Sequence, residues 1–291
     1  MKQRMLSLLL ALVMVLGCAP AWAEDEMTFT TSFSIPLSDY STTEALEGFA
    51  YQKMYGAAST WGVSARRMLS DPMKLMYDWL KPEVQKVANG NRSSTQFVVT
   101  KQMLESYGLE VSFTYTTDDE RTEKMNAMTG ALRDEFSALI DAIKADCPFD
   151  LYWADYNMFM YSSISWSGYG KNLSVSEASI NVFVNHIFQK DSQFSVSAAA
   201  ANAAKNASAK AKSIVAAAAG KSDYEKLVYY ADQIMALTAY NDEAAADQNF
   251  IDSNSNPWQL IYVFDGDPDT NVVCEGYAKA FMYLCDLTTF N

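Results

Sequence analysis

Cys274 is the residue with the clearest chemical potential. It lies in the string Thr270-Asn271-Val272-Val273-Cys274-Glu275-Gly276-Tyr277-Ala278-Lys279-Ala280-Phe281. The apolar spacing of Val272 to Asp286 predicts a helix that opens at this cysteine. In a first helical turn the backbone N–H groups lack intrahelical acceptors, and the macrodipole favours an anion, so a thiolate there is stabilised. The backbone N–H of Cys274 is also placed to face the oxyanion that develops in acyl transfer. Such a nucleophile needs a base and a group that orients the base. Gly276 removes a side chain beside the sulfur, where another backbone or a substrate can approach.

The predicted helix reads by faces. Cys274, Ala278, Phe281 and Cys285 share one side, and Tyr277, Ala280 and Leu284 lie next to them. Charge is confined to a strip of Glu275, Lys279 and Asp286, in which Glu275 and Lys279 form a favourable i,i+4 pair. A helix so apolar is expected to be buried. Trp258 and Tyr262 precede it on a short helix and are candidates to line a cleft or donate to an oxyanion, with core packing the simpler role. Asp265, Asp267 and Asp269 alternate as in part of a calcium loop, but Pro268 interrupts and no glutamate follows, so an acidic turn is expected. The one histidine, His186, falls in an alternating stretch with Ile180, Val182 and Val184, which predicts a half-buried structural side chain. With no CxxC pair and one His, no metal site is expected. No cofactor motif occurs.

The decapeptide Val272–Phe281 resembles the nucleophile motif of bacterial transglutaminase-like proteins. Ser222-Asp223-Tyr224-Glu225-Lys226-Leu227 resembles the helix that opens that domain, and Thr238-Ala239-Tyr240-Asn241 resembles the end of the same helix. The resemblance covers roughly residues 220 to 291. It implies a papain-like fold and thiol acyl transfer, in which family members crosslink amides, hydrolyse peptides or run related reactions. Cys274 is carried over as the catalytic residue, with Gly276 and Tyr277 as structural members of the motif. In this family a His and then an Asp follow the cysteine, on strands some tens of residues later. Here the sequence stops at Asn291, so the resemblance implies the front half of the domain, a fragment expected to have little or no activity alone. His186 lies upstream, and its use as a base in a different chain order is the alternative.

The partners that fit are protein or peptide substrates. A chain with 35 acidic and 22 basic residues, net charge -13, repels phosphate backbones, so nucleic acid is not expected. Lys2 and Arg4, an apolar run from Met5 to Leu16, and Ala21-Trp22-Ala23 read as a signal peptide over 1–23, which implies secretion or the cell surface. A lipoprotein cut before Cys18 is the rival reading. No later run approaches the ~20 apolar residues of a membrane span. After the signal, Cys147, Cys274 and Cys285 remain, an odd set for an exported chain. On one helix Cys274 and Cys285 lie about 16 Å apart, too far to bridge. A non-enzymatic binding module with a degenerate domain is the second functional reading.

The elements needed to position these residues follow from periodicity and punctuation. Strands are expected at Met27 to Ile35, Gln96 to Thr100 and Leu109 to Tyr115. Helices are expected at Thr42 to about Ala58, over Val63 to Val87 as two or three short pieces broken near Pro72 and Pro82, and along Asp118 to Ala145. Leu151 to Phe188 reads as a hairpin turning at Ser167–Gly170. The alanine-rich stretch Ala198–Ala219 reads as a connecting helix ended by Gly220. Ser222 and Glu225 form a capping box for a helix reaching about Tyr240. A polar loop over 241–256 and a helix from Pro257 to Phe264 complete the set. The fold class is α+β. An N-terminal α+β region of unknown role, 24–195, and a linker helix, 196–219, precede the transglutaminase-like segment 220–291.

Overall fold

The computed structural model describes residues 26–35, 64–155, 160–247 and 256–290. The signal peptide expected over 1–23 and the helix expected over 42–58 lie outside them. The chain is α+β, with helices around one five-stranded antiparallel sheet.

Strand β1, Met27–Ile35, alternates half-buried and exposed side chains along its whole length. It pairs with β4, Met160–Tyr169, which pairs with β5, Asn172–Val182. Strand β2, Gln96–Thr100, and the short β3, Ser112–Thr114, share the far side of β5. The sheet order is therefore β1-β4-β5-β2, with β3 beside β5. The β4–β5 hairpin turns at Gly170 and Lys171, not at 167–170 as expected. Ser167 and Gly168 stay in the ladder, and only Gly170, at φ 57°, takes the left-handed conformation that the tight turn requires. Of the strand expected over 109–115, Ser112–Thr114 forms the strand, flanked by single bonds from Val175 N to Val111 O at 2.8 Å and from Tyr115 N to Lys171 O at 3.0 Å.

The proline breaks expected after Val63 are corrected. Beyond a 3-10 turn at Ala65–Met68, one helix, α1, runs from Asp71 to Ala88. Pro72 sits in its first turn, where no N–H is needed. Pro82 lies inside it on the solvent side, and the carbonyl it leaves without a donor belongs to exposed Asp78. Interior proline costs about 3 kcal/mol. Burial of Met73, Met76, Tyr77, Leu80, Val84 and Val87 offsets it, because each such side chain contributes about 1.5–3 kcal/mol.

After β2, a short helix α2, Lys101–Ser106, starts on the Thr100 cap. Helix α3, Asp118–Asp146, is capped by Thr117 and lies against α1 and β1. Its last residue binds back to the start of the helical layer. Asp146 accepts from the Ala65 amide at 2.9 Å, from the Tyr77 hydroxyl at 2.6 Å and from the Ser64 hydroxyl. His186 is placed in a 3-10 turn, His186–Phe188, and is exposed. The expectation of a half-buried strand residue fails because β5 ends at Val182 and Asn185 caps a new turn.

Helix α4, Ala198–Ala217, joins the two parts of the chain and is itself packed. Ala200, Ala204, Ala207, Ala211 and Ile214 are buried, and their small side chains let neighbouring helices approach. Gly220 follows at φ 82°. Helix α5, Asp223–Leu237, carries the capping box of Ser222 and Glu225. It ends at Leu237, before Tyr240, because Tyr240 forms a parallel bridge with Val272. Within the expected polar loop, Asn241 caps a short helix α6, Asp242–Ala246, through a 2.9 Å bond from the Ala244 amide. Helix α7, Ile261–Phe264, is shorter than expected, and α8 spans Cys274–Asp286.

The C-terminal helices share the main hydrophobic core with the sheet and α1. Buried Gln259 donates to the Leu151 carbonyl at 3.0 Å, and buried Asn256 donates to the Ala154 carbonyl at 3.2 Å. The Phe149 and Tyr283 rings stack with centroids 4.8 Å apart. Position of the cysteine helix is thus set by elements far away in sequence.

Candidate functional site

Cys274 is the first residue of α8 and is exposed. Val273 occupies the N-cap position in extended conformation and supplies no side-chain cap. Among the described residues the amides of Cys274, Glu275 and Gly276 make no hydrogen bond. The first intrahelical bond runs from Tyr277 N to Val273 O at 3.3 Å. Three donors at the positive end of the helix therefore stay open beside an accessible sulfur, which suits an anion.

The residues around the thiol are held from three directions. Val272 N donates to Ala239 O at 3.2 Å, and Asn241 N donates to Val272 O at 3.0 Å, so the chain just before the cysteine is stitched to the end of α5. Val273 N donates to Pro257 O at 3.0 Å, and Lys279 Nζ reaches Trp258 O at 3.3 Å. Lys279 also pairs with Glu275 at 2.5 Å, the i,i+4 pair expected from the spacing. Gly276 is needed for this close packing. A Cβ there would lie 2.7 Å from Val272 Cβ and 3.1 Å from Pro257 O.

Tyr277 faces the other flank. Its hydroxyl donates to Thr238 O at 3.0 Å, and its ring stacks with exposed Tyr240 at 6.3 Å. Burial, and then the neighbouring Tyr240, pushes the Tyr277 phenol up from its ordinary value. Trp258 is 8% exposed and packs in a small cluster with Ala244 and Val273, directly beneath the start of α8. Tyr262 is 6% exposed and stacks on Phe188 in the main core. Both side chains support the site from inside and do not line an open cleft.

The other expectations resolve as follows. Asp265, Asp267 and Asp269 are used by their own turn. Asp265 accepts from Asp267 N at 3.0 Å and from the Thr270 hydroxyl at 2.8 Å, while Asp267 accepts from Asp269 N at 3.0 Å. Burial pushes the Asp265 carboxyl above its ordinary value. Among the described residues no group of three His, Cys, Asp or Glu side chains is arranged to hold a metal. No described helix is long and apolar enough to cross a membrane. Cys147 and Cys285 are buried, and burial pushes the Cys147 thiol up to about 12. His186, on its turn after β5, makes no hydrogen bond to Cys274. A depression of about 590 Å³ lies elsewhere, between β3 and the tip of the β4–β5 hairpin, with Phe113, Tyr169 and Leu173 in its lining.

The structure thus brings Cys274, Gly276, Tyr277 and Trp258 together, buries Tyr262 in the main core and places His186 on an exposed turn. Sequence reasoning missed Thr238, Pro257 and Val272 as positioning residues. They act through backbone groups and a tight contact, for which side-chain type carries no signal. No protein-family model matches the chain, and neither does any curated protein.

Proposed function

We propose that this chain carries the nucleophile segment of a thiol acyl-transfer site in a secreted or cell-surface protein. Cys274 acts on amides of protein or cell-wall peptides. The observation that supports this most is the exposed cysteine on the first residue of α8, beside three amides that have no acceptor among the described residues. In the reaction the sulfur bonds to the acyl carbon, the C–N bond breaks, and the amine leaves with the thiol proton. The amides at the start of α8 donate to the carbonyl oxygen as it gains charge. Water or a primary amine then takes the acyl group and returns a proton to the sulfur.

Among the described residues no imidazole is hydrogen-bonded to Cys274, and this favours a second reading, a binding module built on the same scaffold without turnover. An activated ester separates the two, because its leaving group needs no proton. With p-nitrophenyl acetate, Cys274 should acylate faster in the folded chain than in the urea-unfolded chain, and Cys274→Ser should abolish the fast phase. Mass spectrometry should find the acyl group on Cys274 and not on Cys147 or Cys285. A folded rate no greater than the unfolded one would remove support for acyl transfer and leave the binding module.

A further inference from the structure

Among the described residues, strand β1 is an edge strand whose outer side meets no other strand. It pairs with β4 along all nine residues, from Met27 opposite Gly168 to Ile35 opposite Met160. Alternate residues of an antiparallel strand direct N–H and C=O to opposite sides, so about half of these nine turn both groups away from β4. Among the described residues no hydrogen bond meets them. Natural edges are blunted by Lys, Pro, bulges or a covering element. Met27–Ile35 has no charge and no proline, and its register with β4 has no shift. The opposite side of the sheet differs. There β2 is five residues long, Arg92 donates to its Gln96 carbonyl at 2.5 Å, and the chain passes straight into α2.

The packing of β1 is also unfinished. On the core face of the inner strands, Ile164, Trp166, Val175 and Ile180 are fully buried, whereas Met27, Phe29, Phe33 and Ile35 are half-buried. The other face of β1 presents Thr28, Thr30, Ser32 and Ser34 to solvent. A strand that completes this edge must be apolar on the core side, polar on the other, and free of charge that would need a partner. The sequence Met-Thr-Phe-Thr-Thr-Ser-Phe-Ser-Ile meets these conditions for itself apart from Thr31, whose hydroxyl is already bonded to Thr129 and Trp166 within its own chain. Its lack of charge also means that two copies meet along β1 without like-charge opposition, although each chain carries -13.

We propose that the free edge of β1 pairs with β1 of a second copy of this chain, antiparallel about a two-fold axis. The interface is isologous and joins two five-stranded sheets into one. Full overlap sets Thr31 opposite its own copy. Phe29 then faces Phe33 over the core, and Thr30 faces Ser32 on the solvent side. Ten strands remain within the usual limit of about ten for an open sheet. The proposal does not depend on the chemistry of Cys274.

Light scattering coupled to gel filtration, run on the full chain over a wide concentration range, tests it. The wild type should show twice the chain mass. Thr30→Lys with Ser32→Lys places lysines against each other across the axis without touching the core, and should give a monomer with unchanged circular dichroism. Thr30→Glu with Ser32→Lys opposes unlike charges in the same register and should restore the dimer. A monomeric wild type at every concentration overturns the proposal. So does a dimer that survives the two lysines, a Glu/Lys variant that stays monomeric, or strong amide-exchange protection of β1 in a monomer.

Discussion

Replacing Gly276 with alanine asks how firmly the cysteine helix is docked. The new Cβ would lie 2.7 Å from Val272 Cβ, 3.0 Å from Val272 Cγ2 and 3.1 Å from Pro257 O. None of these atoms is a flexible side-chain end. Val272 is fully buried, its N–H and C=O are both bonded to the segment after α5, and Pro257 O already accepts from Val273 N. Overpacking of this kind costs about 1–3 kcal/mol. Alanine in place of glycine in a helix returns up to about 1 kcal/mol. With overpacking near the middle of its range, about 2 kcal/mol, the expected net loss is about 1–2 kcal/mol, or a fall in melting temperature of roughly 3–6 °C for a chain of this size. Gly130, inside α3, is the control. Nothing lies within 4 Å of its added Cβ, so Gly130→Ala should gain up to about 1 kcal/mol. Urea unfolding followed by tryptophan fluorescence reads both. Val272→Ala in the Gly276→Ala background removes only the 3.0 Å contact of Cγ2 and leaves those of Val272 Cβ and Pro257 O, so the two single losses should add almost in full. A Gly276→Ala protein as stable as the wild type would refute the packing argument.

Further outcomes follow from buried charge and caps. Burial pushes the Asp150 carboxyl above its ordinary value, against the opposing hydrogen bond from Gln85. The folded state then binds this proton more tightly than the unfolded one, so the group favours folding at low pH and costs stability as pH rises past the unfolded value. Asp150→Asn should therefore raise the urea midpoint at pH 7, and the gain should vanish below about pH 4, near the unfolded carboxyl value. Ser222→Ala removes one side of the capping box at α5 and should cost about 1 kcal/mol. An unchanged urea midpoint would show that the cap contributes nothing. Glu120 accepts from the Thr116 amide and hydroxyl and pairs with Lys124, which holds its carboxyl at about 2. That stabilisation is present above the unfolded value near 4.5 and is lost as pH falls toward 2, so Glu120→Gln should flatten acid unfolding in that window.

The local features were legible because their causes are local. The alternation of Met27–Ile35, the long period of Asp118–Asp146, the Ser222–Glu225 box and the stop at Gly220 each depend on neighbours within a few residues. The position of Cys274 at a helix start belongs to the same class, since the apolar repeat begins there. Pro82 and His186 were misread because their settings are not local. The helix around Pro82 is held by its buried face, and the turn at His186 by the cap from Asn185.

By itself, the sequence determined which cysteine opens a helix, the acidic net charge and the α+β class, all properties of residue type and short-range period. Only the tertiary structure decided the strand order β1-β4-β5-β2, the burial of Trp258 and Tyr262, and the placing of His186 on an exposed turn. It also decided that Gly276 must be glycine, because Val272 and Pro257 close on it. Those contacts join residues whose partners lie far along the chain or act through backbone atoms, and no periodicity of side chains records them.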